Sequence, residues 1–294
     1  MKSSLRTVVS TLVDYGLLIR LHRPVGTWLL LWPALWALWM SSAGHPHEHV
    51  FIVFALGVFL TRSAGCAIND WADRKVDPEV KRTRDRPLAA GRIQPSEALI
   101  VYAILCLLAF ALVLTLDRLT VAYAVVGAGL MAAYPFMKRF FPLPQAWLGL
   151  AFSWSIPMAW VAQHGSVTRV GWLVFAAGVL WVMVYDTQYA MVDRDDDLRL
   201  GVHSSAITFG DADRIVLGAL QALTLLALVL AGQALGMGSW YHAGLGTGAI
   251  TFVYQQWLIR DRSREGCFAA FINNQWFGLA VFLGVALDFF FRSP

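Results

Sequence analysis

Nine apolar stretches of about 20 residues follow one another along the chain, at positions 24–43, 50–69, 98–116, 119–137, 143–162, 170–189, 215–234, 239–258 and 268–289. A helix of about 20 apolar residues spans the roughly 30 Å of hydrocarbon in a bilayer. Hydrocarbon offers no partner to backbone N–H and C=O groups, so runs of this length are read as helices that satisfy those groups internally. Composition agrees: 58% of the 294 residues are hydrophobic and 14% charged, where soluble domains are about half apolar and a quarter charged. The connecting segments leave no room for a second soluble domain. One all-α integral membrane domain over residues 1–294 is expected.

The net charge of +4 does not point to nucleic acid, because the Lys and Arg residues alternate with the spans as a topology signal would. With the N-terminus inside, cytoplasmic segments collect Lys2, Arg6, Arg20 and Arg23, and then Arg74, Lys75, Lys81, Arg82, Arg84, Arg86 and Arg92. Later cytoplasmic loops add Lys138 and Arg139, then Arg194, Arg199 and Arg214, then Arg260, Arg262 and Arg264. Of the 23 basic residues, only Arg118, Arg169 and Arg292 fall outside, and Arg62 lies within a span. The positive-inside rule then places the N-terminus in the cytoplasm and the C-terminus in the periplasm. The first 23 residues carry charges throughout, with no continuous apolar core and cleavage site, so they do not read as a cleaved signal peptide. An Arg- and Ser-rich transit segment is also missing, which favours a bacterial inner membrane. Cys66, Cys106 and Cys267 are odd in number and widely spaced, and read as small core residues.

Two cytoplasmic loops break the apolar pattern: NDWADRKVDPEVKRTRDRPLAAG from Asn69 and DTQYAMVDRDDDLRLGVHSSAITFG from Asp186. At 100° per residue, Asn69, Asp73 and Asp77 share one helical face, with Asp70 beside it. Asp186, Tyr189, Asp193 and Asp197 share a face in the second motif, while Asp195 and Asp196 point elsewhere and are expected to be solvated. An offset of 120 residues relates Asp73 and Asp77 to Asp193 and Asp197, and Tyr134 to Tyr254, as an internal repeat would. A lone D-x-x-x-D is usually a solvated loop feature. Two such stripes at the same end of two membrane helices, each followed by basic residues, are better explained by shared cations. Crowded carboxylates repel unless cations or protons intervene, and hard oxygen donors favour Mg²⁺, which keeps waters and binds substrate phosphates.

These motifs, with Arg62-Ser-Ala-Gly-Cys-Ala-Ile-Asn69, KRTRDRPLAAG, YPFMKR and YDTQYAMVDRDDD, resemble those of the UbiA superfamily of intramembrane prenyltransferases. Within it the chain is most similar to the bacterial enzymes that prenylate 4-hydroxybenzoate for ubiquinone. The resemblance implies nine transmembrane helices around a central cavity with a cytoplasmic-side cap, and Mg²⁺ bridging enzyme and diphosphate. It implies Asn69, Asp70, Asp73, Asp77, Asp193 and Asp197 as metal ligands, and Asp186, Asp193 and Tyr189 as catalytic residues. Tyr134 and Lys138 match positions that face the diphosphate in the family; a helix-end cation snorkelling to the interface is the alternative for Lys138.

The implied reaction joins a polyprenyl diphosphate to 4-hydroxybenzoate, with membrane lipid surrounding the tail. Ionisation of the allylic C–O bond requires positive charge around the leaving diphosphate. The allyl cation is then attacked by the ring carbon ortho to the phenol oxygen, and Asp193 or Asp186 is expected to take the ring proton or to polarise the phenol, roles that the sequence does not separate from metal binding. A charge within a span is costly and marks a functional site. Arg62, which lies 7, 8 and 11 residues before Asn69, Asp70 and Asp73, is therefore expected to anchor the acceptor's carboxylate or a substrate phosphate. Neutralising Asp70 or Asp73 is the alternative, and Arg139 is the rival anchor. Dihydroxynaphthoate, homogentisate and the vinyl group of haem are the competing acceptors. An ion-coupled transporter is the competing class, although transporter sites lie nearer the midplane.

Overall fold

The computed structural model describes residues 2–80, 82–137, 141–201 and 203–292. Regular structure among them is helical throughout. In chain order the helices are α1 (Lys2–Leu18), α2 (Val25–Ser41), α3 (Glu48–Asp73), α4 (Pro95–Val113), α5 (Arg118–Met137) and α6 (Pro144–Ser153). They continue with α7 (Ser155–His164), α8 (Arg169–Leu200), α9 (Ser205–Phe209), α10 (Asp213–Ala234), α11 (Ser239–Leu258) and α12 (Arg264–Phe291). Among the described residues, α3, α4, α8, α9 with α10, and α12 are five segments long and apolar enough to cross a membrane, and α2 and the Arg118–Tyr134 part of α5 are shorter apolar helices.

Prolines account for two departures from the sequence reading. The expected span at 143–162 is two helices, broken at Trp154. Pro157 lacks the N–H that would bond the Ser153 carbonyl, and its ring crowds that carbonyl. The stripe Asn69, Asp73, Asp77 is not one helical face: α3 ends at Asp73, and Asp77 opens a 3-10 turn, Asp77–Glu79. Pro78 has no N–H to donate to the Arg74 carbonyl, so α-helical bonding cannot run on through it. By contrast α8 runs eleven residues beyond the expected end at 189, so the second motif stays on one helix until Gly201 caps it at φ 66°, its N–H bonding the Asp197 carbonyl. Tyr254, the repeat partner suggested for Tyr134, lies on the outer surface stacked on Trp257 at 5.8 Å, whereas Tyr134 packs against the core.

Helix α8 packs against α6, α10 and α12, and α2 against α7 and α12. At their centre Trp181 lies 5.0 Å from Trp36 and 5.3 Å from Phe277. Both buried indole N–H groups are satisfied, Trp36 donating to the Gly278 carbonyl at 3.0 Å and Trp181 to Asn274 Oδ1 at 2.9 Å. Helices α11 and α12 meet at Gly244 and Gly284, where a Cβ on Gly244 would lie 2.7 Å from the Gly284 Cα. Small residues let membrane helices approach this closely, where packing rather than hydrophobicity drives association. Of α4, only Ala98 and Val113 are buried, so its apolar surface faces outward as a lipid-facing helix would.

Candidate active site

The first acidic group forms where α3 ends. Asp70 is buried, and its Oδ1 accepts from Arg20 at 2.6 Å and Arg86 at 3.0 Å. The same Arg86 nitrogen donates to Asp77 Oδ2 at 2.9 Å, so one guanidinium bridges both acids. Burial pushes the Asp77 carboxyl above its usual range, with the Arg86 charge working against that shift. Thr83 holds the turn by donating its hydroxyl to the Asp77 carbonyl at 2.8 Å. Arg20 reaches Asp70 from a left-handed backbone, φ 61°, after α1. Helix α1 itself is fastened beneath the first motif by Asp14 to Arg92 at 2.8 Å and Tyr15 to Glu97 at 2.7 Å.

The second group lies on α8. Asp193 is held bidentately by Arg82, Nε to Oδ1 at 3.0 Å and Nη2 to Oδ2 at 2.5 Å. Arg82 also donates to the Tyr189 hydroxyl and lies 4.7 Å over its ring, whose centroid is 4.7 Å from that of Phe271. Burial works against the Arg82 charge, but Tyr189 and Asp193 outweigh it and hold the guanidinium more firmly protonated than in water. Asp186, Tyr189, Asp193 and Asp197 are all half-buried, while Thr187, Gln188, Ala190, Met191 and Val192 between them are buried, so the four share one partly open face. Asp196 corrects the solvated expectation: it accepts from Arg264 at 3.2 Å, because α12 begins beside that face, whereas Asp195 is largely exposed.

One loop, residues 74–94, joins the two groups. Arg82 reaches the acid of α8, Arg86 four residues later reaches the acids of α3, and Arg84 between them points to solvent. These two arginines, with Arg20, are site residues that the sequence reading counted only for topology.

Deeper in the bundle, Arg62 is half-buried, donates to Cys66 Sγ and lies against Gly26, where any Cβ would collide with the guanidinium. Cys66 is buried, as the sequence reading expected. Asp70 takes its cations from Arg20 and Arg86 rather than from Arg62, against the alternative reading of Arg62 for that acid. Asn69 and Asp73 are half-buried on the last turns of α3, and Tyr134 packs near the C-terminal end of α5. Lys138 and Arg139 lie outside the described residues.

Behind the α8 face stands a buried amide network that apolar periodicity did not reveal. Asn274 donates to Gln188 Oε1 at 2.7 Å; Gln188 and Gln221 each donate to Gln255 Oε1 at 3.1 Å; Gln255 donates to Asn273 at 3.1 Å. It fixes α8 against α10, α11 and α12. Asp213, buried at the start of α10, accepts from Arg194 at 2.6 Å and from Arg262 at 2.9 Å, and so clamps the end of α8 to the loop before α12.

Two clefts lie away from the acids. One, of about 410 Å³, is at the opposite end of the bundle, lined by Met40, His45, His47 and His164 among others. The other, about 300 Å³, is a groove between α2 and α12 lined by Trp28, Trp32, Gln275, Trp276 and Leu279.

The acids suit a hard divalent cation. Asp70 Oδ2 is buried and without a hydrogen-bond partner among the described residues, an acceptor left for a cation. Among the described residues no three His, Cys, Asp or Glu side chains close around one point. Mg²⁺ takes one or two carboxylates and completes its shell with waters and phosphate oxygens.

The UbiA prenyltransferase family profile matches residues 30–283. The chain is 54% identical over 275 residues to the 4-hydroxybenzoate octaprenyltransferase of Alkalilimnicola ehrlichii, covering 94% of each chain. It is 55% identical to that of Aeromonas salmonicida, covering 94% of this chain and 95% of the relative. In fold it is similar to the apo structure of a UbiA homolog from Aeropyrum pernix K1, with TM-score 0.78 and 24% identity over 90% of this chain and 97% of the other. It also superposes on a UbiA homolog from Archaeoglobus fulgidus bound to DMAPP and Mg²⁺, with TM-score 0.69 and 16% identity over 92% and 99% of the chains.

Proposed function

The chain belongs to the UbiA prenyltransferase family, and from that premise we propose that it transfers a polyprenyl group from polyprenyl diphosphate to 4-hydroxybenzoate. The new bond forms at the ring carbon ortho to the hydroxyl, with release of diphosphate, as a step of ubiquinone biosynthesis. The relatives' names make octaprenyl the expected group. The observation that carries the reading is the joining of both aspartate motifs by Arg82 and Arg86 of one loop.

The prenyl C–O bond breaks with its electron pair leaving on diphosphate. Arg82 and Arg86 neutralise the acids, and their guanidinium groups are of the kind that binds phosphate oxygens bidentately. Mg²⁺, when bound, supplies Lewis-acid stabilisation of the leaving group; Asn69, Asp70, Asp73, Asp77, Asp193 and Asp197 are the residues assigned to hold it. Tyr134 and Lys138 are assigned to the diphosphate. Arg62, with Arg139 as the rival, orients the acceptor carboxylate. The Tyr189 and Phe271 rings beside the α8 face give aromatic surroundings that would exclude water, which would trap the cation as an alcohol. Asp186 or Asp193 is assigned to take the ring proton. The groove between α2 and α12 would admit the prenyl tail from lipid.

The protein is assigned to a bacterial inner membrane with nine spans, α6 and α7 together forming one, the N-terminus cytoplasmic and the C-terminus periplasmic. Loop 74–94 and the end of α8 form the cap. The test offers membranes holding the protein a labelled octaprenyl diphosphate with 4-hydroxybenzoate, dihydroxynaphthoate or homogentisate in turn. Label should pass to 4-hydroxybenzoate; preferential transfer to either other acceptor would overturn the assignment.

A further inference from the structure

Tyr185 is buried, and its hydroxyl has no hydrogen-bond partner among the described residues. Native interiors rarely tolerate such a group without a reason, because its lost hydration is not repaid. The ring is fixed, edge-on to Trp181 at 5.4 Å and 6.2 Å from Phe271, so the hydroxyl cannot simply turn to water. Tyr185 lies one turn before Tyr189 on α8, and both rings meet Phe271. It stands eight residues before Asp193, as Arg62 stands eight before Asp70 on α3, so each is about 12 Å deeper than its acid. Arg62 on α3, Tyr134 on α5 and Asp186 on α8 are the groups that act electrostatically on Tyr185.

We propose that the Tyr185 hydroxyl is an acceptor-binding group that donates a hydrogen bond to the carboxylate of the aromatic acid beside Arg62. The proposal rests on the acceptor reading above. A carboxylate leaving water needs several donors. An un-ionised phenol supplies a donor beside that of Arg62 at neutral pH without adding charge. The hydroxyl that costs stability in the free protein is then the one that gains a partner when acceptor binds.

Stability and binding should therefore move in opposite directions in Tyr185→Phe, which keeps the ring and its packing. Purified protein in detergent is given labelled 4-hydroxybenzoate in equilibrium dialysis, with KM for both substrates and the thermal midpoint measured in parallel. The expected result is acceptor Kd and KM raised about 10-fold, in line with loss of a hydrogen bond to a charged group. KM for the prenyl diphosphate should stay within about 2-fold and the midpoint should hold or rise. A 4-hydroxyphenyl ketone lacking the carboxylate should be used equally by both proteins. Unchanged acceptor binding, or equal loss for both substrates, would overturn the assignment of Tyr185 and leave the acceptor reading intact. Failure of the unmutated protein to bind 4-hydroxybenzoate would overturn both.

Discussion

Arg82 grips Asp193 with two parallel bonds across 111 residues of sequence, 3.0 and 2.5 Å long, tying the first loop to the helix of the second motif. Arg82→Ala should leave the carboxylate without its counter-charge and the diphosphate without a guanidinium. A rise of 10-fold or more in KM for the prenyl diphosphate is expected, on the order of one charge-assisted hydrogen bond. Arg82→Lys should recover part of it, because an ammonium cannot reproduce the planar fork. Unaltered kinetics in the alanine variant would show the pair to be a structural strap only.

Asp73→Ala and Asp193→Ala should each remove most turnover while the protein remains folded and inserted. Loss of groups that merely support a metal ligand costs about 10- to 100-fold, so losses at the ligands themselves should be larger. Steady-state rates at saturating Mg²⁺ check this, and near-normal turnover in either variant would remove that acid from the site.

How much of this was legible in the sequence depends on the distance over which each feature is determined. The helices follow from local apolarity, and the second motif stays helical through Asp197 as its spacing indicated. Asp77 was misplaced because an i+4 pattern was extended to the residue before Pro78, whose missing N–H was a signal present in the sequence but outweighed by the periodicity. Arg82 and Arg86 looked like topology markers, since whether a loop arginine faces water or an acid 111 residues away is a tertiary matter. The same holds for Asp196, whose partner Arg264 comes from the start of α12. Gln188, Gln255 and Asn274 drew no notice in apolar runs, yet buried amides demand partners and could have been matched to one another.

That amide network predicts a stability effect separable from catalysis. Asn274→Leu strips Gln188 Oε1 and Trp181 Nε1 of their partners. The cost should be about 1 kcal/mol per orphaned group, with membrane-protein hydrogen bonds at the low end of that scale. The double variant Gln188→Leu with Asn274→Leu should be less destabilised than the two single changes summed, because it removes both partners of one bond. Thermal unfolding in detergent measures the difference, and strict additivity would contradict the coupling.

Orientation is open to a direct check. Single cysteines introduced at Arg260 and at Arg118 should differ in labelling from the two sides of the membrane, position 260 reacting from the cytoplasm and position 118 from outside. The reverse pattern would mean the insertion direction is inverted.

The central claim is that paired acids and arginines ionise a prenyl diphosphate with a divalent cation so that one C–C bond forms for each diphosphate released. Purified protein, stripped of metal with EDTA, should be titrated with Mg²⁺ in the presence of octaprenyl diphosphate and 4-hydroxybenzoate, with diphosphate and prenylated acid quantified together. The account predicts equal amounts of the two products at every Mg²⁺ concentration and neither without metal. Full transfer in EDTA, or uptake of substrate across a sealed membrane with no diphosphate released, would contradict it.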